Sequence, residues 1–196
     1  MRPGRAVIVG MCLGGLFCIR PAAGAGKLAR EAYEYIRIEA QECQANLEKL
    51  YKALEQYAGA NKGELPPGNN FEGLRKLGSF GVDFQCFRCS GSRVKRVRHN
   101  KDLSEAGNPF LYFGGMNLEQ ARQASPNIPL LADKPGGRHL NIVYVDGRRE
   151  SINTPELKRK ISNCREMIDA LHQRYAYPPE VLEMLRLKAG AIDSGK

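Results

Sequence analysis

A chain of 196 residues and 21.8 kDa fits one domain plus a targeting or tail segment, and its 42% hydrophobic against 26% charged residues exclude wholesale disorder. Its 21 glycines follow no Gly-X-Y period, which excludes a collagen-like chain, and the absence of Trp with only 8% aromatics argues against a base- or glycan-stacking platform. The net charge of +9 permits anionic partners without requiring them.

Residues 1–25 read as an export signal. Arg2 and Arg5 precede the 14-residue apolar run Ala6–Ile19, and Ala23-Gly24-Ala25 then supplies a small-x-small cleavage site. The run is shorter than the ~20 apolar residues that cross a bilayer as a helix. Cleavage after Ala25 gives an exported protein, periplasmic or extracellular. Retention would leave it anchored in the inner membrane, the one case that implies membrane contact. Cleavage also removes Cys12 and Cys18, so Cys43, Cys86, Cys89 and Cys164 remain. In an oxidising compartment four cysteines suggest disulfides, with three possible pairings. Buried thiols are the other reading, above all for Cys43 and Cys164, which lie on apolar stripes.

From Lys27 to about Ala60, small or apolar residues recur at Ala29, Tyr33, Ile36, Ala40, Cys43, Leu47, Leu50, Leu54 and Tyr57. Steps of four and three make one seam along a single long helix. It ends in the turn-rich stretch Gly59–Asn70, and a short helix is predicted over Phe71–Leu77. Strands are predicted at Phe110–Phe113, Ile128–Ala132 and Leu140–Val145. Asp146-Gly147 is a hairpin signal leading into Arg148–Ile152. Thr154-Pro155 reads as a helix start. A second seam follows at Leu157, Ile161, Cys164, Ile168, Leu171 and Tyr175, and a last helix runs from about Glu180 to Ala189. The predicted class is α+β: residues 26–153 form a long helix on a small antiparallel sheet, and residues 154–196 a helical extension.

Several residues could carry chemistry. Cys86-x-x-Cys89 runs into Ser90-Gly91-Ser92 with no helix start, so it lacks the dipole that activates a redox thiol. A zinc site would need to recruit Cys43, Cys164 or His139 beyond the nearby His99. Asp133, His139 and Asp146 surround a hairpin and could form a hydrolytic or metal site, although the Asp146-Gly147 turn already accounts for Asp146. Arg93, Lys95, Arg96 and Arg98 make the loop 93–101 basic. That loop could bind an anionic envelope polymer; without interleaved aromatics, nucleic acid is not expected. No G-x-S-x-G or similar motif supports nucleophilic catalysis, so no catalytic residue is assigned and an enzyme is not expected.

Cys43 with Asn46-Leu47, Ala53-Leu54, Tyr57-Ala58 and the exit Gly63-Glu64-Leu65-Pro66 resembles the end of the long helix in bacterial type II secretion pseudopilins. Phe84-Gln85-Cys86, Tyr112-Phe113-Gly114-Gly115, Ala132-Asp133-Lys134-Pro135 and Asn141–Gly147 follow the order of their H-X9-DG group. The similarity covers about Ala40 to Ile152. It departs from the family at the amino terminus: Gly4 is followed by Arg5, and Val9 stands where the methylation motif has Glu. His139 precedes Asp146 by seven residues instead of ten, and the usual Asp-Gly-His is Asp146-Gly147-Arg148. The resemblance implies a pilin-like globular domain that is a structural or accessory component of an envelope secretion system, with protein partners from that system. It also implies a Cys43–Cys86 bridge, leaving Cys89–Cys164. No cofactor is assigned; zinc stays open, and family likeness keeps calcium open despite few oxygen ligands.

Overall fold

The computed structural model describes residues 26–92, 94, 97–152 and 161–195. Gly26–Ala60 forms one 35-residue helix, α1, as the seam predicts. At 1.5 Å per residue it is about 52 Å long. Four strands about 4.8 Å apart and at most five residues long offer a patch under about 20 Å in either direction. The helix therefore outruns its sheet. Ala40, Cys43, Leu47, Leu50 and Leu54 are buried as expected, whereas Tyr33 and Ile38 remain 61% and 51% exposed. The seam is a core seam only from about residue 39 onward.

After α1 the chain turns through Lys62 and Gly63, both at positive φ (56° and 85°). The expected helix Phe71–Leu77 is split into α2, Asn70–Leu74, and a 3-10 turn, Arg75–Phe80, which stops at left-handed Gly81. The strands are β1 (Phe110–Tyr112), β2 (Pro129–Asp133), β3 (Leu140–Tyr144) and β4 (Arg149–Ile152). They form one antiparallel sheet in the order β1-β2-β3-β4. The sequence reading missed α3, Leu118–Ala124, a seven-residue helix whose first turn is capped by Asn117. Asn141 donates to Ala40 O on α1 at 3.1 Å. Tyr144, on the opposite face by the two-residue period of a strand, stacks edge-on against Tyr175. Both faces are thus covered, and β2 and β3 are buried at every position.

The second cover is α4 (Cys164–Tyr175) and α5 (Pro179–Asp193). The start read at Thr154-Pro155, and Leu157 with it, lie outside the described residues. Within them α4 begins at Cys164, because Asn163 accepts from Glu166 N at 2.9 Å while the Glu166 carboxylate takes Ser162 N at 2.7 Å. That Asn-x-x-Glu spacing is a helix-start signature in its own right. Ile161, Cys164, Met167, Ile168 and Leu171 carry the second seam into the same core as α1. The sheet's edges are blunted differently. Asn70 Oδ1 accepts from Tyr112 N on β1 at 3.2 Å. The β4 edge carries Arg149, paired with Glu48, and Glu150, paired with Arg174.

Glu150 links β4 to α4. Tyr144 and Tyr175 hydroxyls both donate to its Oε2 at 2.8 Å. Burial alone would push its pKa up, but those hydrogen bonds and the Arg174 charge prevail and hold it below the ordinary 4.5. A carboxylate with a lowered folded pKa stabilises fully above its unfolded value and loses that contribution as pH falls through the folded one. Glu150→Gln should therefore melt at a lower temperature than the parent at neutral pH, with the gap closing below about pH 4.5. Thermal melts of both chains across that range check this; a gap independent of pH contradicts it.

Candidate functional site

Four segments meet beside the middle of α1. The strand-like turn after the 3-10 turn Phe84–Phe87 is strapped to the helix: Asn46 Nδ2 donates to Arg88 O at 2.7 Å and Ser90 Oγ to Glu42 Oε2 at 3.0 Å. Between these two ties Cys89 is bonded to Cys43, with 5.0 Å between their Cα atoms. This overturns the Cys43–Cys86 and Cys89–Cys164 pairing. The reason is local: Cys86 lies within the 3-10 turn, which turns it and Phe87 into the core. The backbone then becomes extended at Arg88 and carries Cys89 across to α1. Cys86 and Cys164 are free, buried thiols. Burial, with Asp193 nearby, pushes the Cys164 thiol up to about 12, which makes it inert.

The β2–β3 connection closes the cluster from the other side. Asp133, at the end of β2, and His139, at the start of β3, are 3% exposed each, and their side chains approach to 3.4 Å through Oδ2 and Nε2. The same Nε2 lies 3.4 Å from Cys89 Sγ. Asp133 Oδ2 accepts from Asn141 N at 2.7 Å and Asn141 Nδ2 at 2.8 Å. Burial nevertheless dominates and pushes the Asp133 carboxyl up to about 7. Arg138 donates to the buried Glu39 of α1 at 2.7 Å, and its N–H to Gly91 O at 3.3 Å. A side chain at Gly91 would collide with the His139 ring, coming within 2.6 Å of Nδ1. The glycine two residues after Cys89 is what lets the strap lie over the imidazole.

The sequence offered His139 to two separate sets, one with the C-x-x-C pair and Cys43 or Cys164, the other with Asp133 and Asp146. It did not bring Cys43, Cys89, Asp133 and His139 together as one cluster. Glu39, Arg138 and Asn141 were missed. An acid beside Ala40 on an otherwise apolar stripe was the signal for the first; a buried Asn inside a strand carries none. Asp146 is not part of the cluster. It stands at the opposite end of β3, where its Oδ1 accepts from Arg148 N at 2.9 Å. The hairpin forms, but as a three-residue loop with Gly147 at φ 84° packed against Tyr51. The Arg148 guanidinium lies 4.1 Å from the Tyr144 ring centre. The donor set of two sulfurs, one imidazole and one carboxylate is the wrong chemistry for calcium. In the basic loop Arg98 is exposed and Val97 is buried; Arg93, Lys95 and Arg96 lie outside the described residues, as do residues 1–25, where an export signal was expected.

Among the described residues no helix is long and apolar enough to cross a membrane. No family model, curated protein or solved structure matches the chain.

Proposed function

We propose that this chain is a non-enzymatic, exported, pseudopilin-like protein, a structural or accessory component of a type II secretion or type IV pilus-related envelope system. One observation carries the reading: the amino-terminal turns of α1 stand clear of the sheet with Tyr33, Tyr35 and Ile38 more than half exposed. Large apolar side chains left in water on a helix end are a contact surface awaiting a partner. A long helix whose distal half packs on an antiparallel sheet, while its proximal half engages neighbours, is the pilin-like plan that the motif order Cys43 to Gly147 resembles.

The test is photo-crosslinking in the native cell with a light-activated residue at Tyr33 or Ile38 of the full-length chain. Adducts with a pilin-like envelope protein, or with a second copy, that persist in high salt are expected. If instead both positions give no adduct and binding to acidic polysaccharide is lost steeply with salt, the helix-contact reading is overturned in favour of an anionic-polymer module built on Arg98 and its neighbours.

A further inference from the structure

The cluster at the strap has the geometry of a metal centre. Cys43 Sγ, Cys89 Sγ, His139 Nε2 and an Asp133 carboxylate oxygen all lie within 4.8 Å of one another. A proton relay needs the two imidazole nitrogens to face different partners. Here one nitrogen faces both the sulfur and the carboxylate, at 3.4 Å each. Zinc bonds of about 2.0–2.3 Å arranged tetrahedrally set ligand-to-ligand edges of about 3.3–3.8 Å, and both 3.4 Å separations fall in that range. Asp133 Oδ1 is buried with no hydrogen-bond partner among the described residues, while Asn141 fixes the other oxygen and is itself tied to Ala40 O on α1. Such outer hydrogen bonds orient metal-binding carboxylates.

We propose that the reduced chain binds one zinc-class divalent cation through Cys43, Cys89, His139 and Asp133, so that the disulfide and the bound ion are alternative states of one site. A thiol or phosphine reductant supplies the two electrons. With a phosphine, disulfide, phosphine and water give two thiols and the phosphine oxide. The two thiols then bind the cation as thiolates and release two protons. In the reverse direction a small-molecule disulfide accepts the two electrons: with two protons it becomes two thiols, while Cys43 and Cys89 rejoin and the cation leaves. Asn141 acts as a positioning residue for the carboxylate.

Cobalt(II) tests this in the full-length chain, stripped with chelator and reduced with phosphine under argon. Titration should saturate at one equivalent, with thiolate-to-cobalt absorption in the near ultraviolet and the intense visible bands of a four-coordinate ion, both bleached by zinc. The oxidised chain should show neither. The variant carrying Cys86→Ala and Cys164→Ala should retain them. His139→Ala should weaken binding at least about tenfold, since loss of outer-shell partners alone costs ten- to a hundredfold. Asp133→Asn, which keeps the side-chain shape, should shift the visible bands and so covers the case in which His139→Ala does not fold. A reduced, folded parent without the bands overturns the proposal. So do bands unchanged by both ligand substitutions, or bands lost with Cys86 and Cys164.

Discussion

Gly114→Ala is expected to destabilise the protein by about 3 kcal/mol or more, at the upper end of what overpacking costs. A methyl group there would overlap Gly68 O and lie 2.8 Å from Pro66 O and 2.6 Å from the Tyr112 ring. Two of these neighbours are backbone, so no rotamer change relieves them. Tyr112 itself is fully buried and pinned by a hydrogen bond from its hydroxyl to Pro66 O at 2.9 Å. Gly73 packs against the same ring, where a methyl would overlap it and come 2.7 Å from Gly68 O. The exit loop of α1, α2 and β1 are locked around one tyrosine by two glycines. Gly78→Ala is the control: nothing stands within 4 Å, and its effect should stay within about 1 kcal/mol. Urea unfolding of the three chains reads the difference. Equal midpoints for Gly114→Ala and Gly78→Ala contradict this packing.

The second large effect belongs to the strap. Cys43 and Cys89 are 46 residues apart, and a bridge over such a loop contributes about 2–4 kcal/mol, largely by restricting the unfolded chain. Cys43→Ser with Cys89→Ser should lower the unfolding free energy by that amount, read as a lower urea midpoint, and should match the reduced, metal-free parent. The fold should persist, because Asn46, Glu42 and Arg138 still tie residues 88–91 to α1 and to the β2–β3 connection. An unchanged midpoint contradicts the bridge's contribution.

Much of the architecture was legible because it rests on periodicity. The four-three steps from Ala40 to Leu54 required one helix face, and Asp146-Gly147 required a hairpin. What periodicity does not carry is extent. Tyr33 sits on the same seam as Leu47, yet the sheet is too small to reach it, and sheet size depends on strand pairing far along the chain. The helix α3 was hidden for a related reason: seven residues give barely two turns of pattern, and the Asn117 cap is its only strong mark. The site was half legible. Cys89, Asp133 and His139 were each identifiable as chemically capable residues, but their meeting depends on a 3-10 turn choosing which cysteine faces α1. Spacing within Cys86-x-x-Cys89 does not encode that choice; Phe87 does, by taking the core position next to Cys86.

Thiol mapping tests the whole arrangement of helix, strap and sheet most directly. The aerobically purified, chelator-treated chain is unfolded, its free thiols are alkylated, and it is digested without reduction for peptide mass analysis. A peptide pair joined through Cys43 and Cys89, with alkyl groups on Cys86 and Cys164, is the expected result. A Cys43–Cys86 or Cys89–Cys164 linkage would place the wrong face of the strap on α1 and contradict the site built around His139.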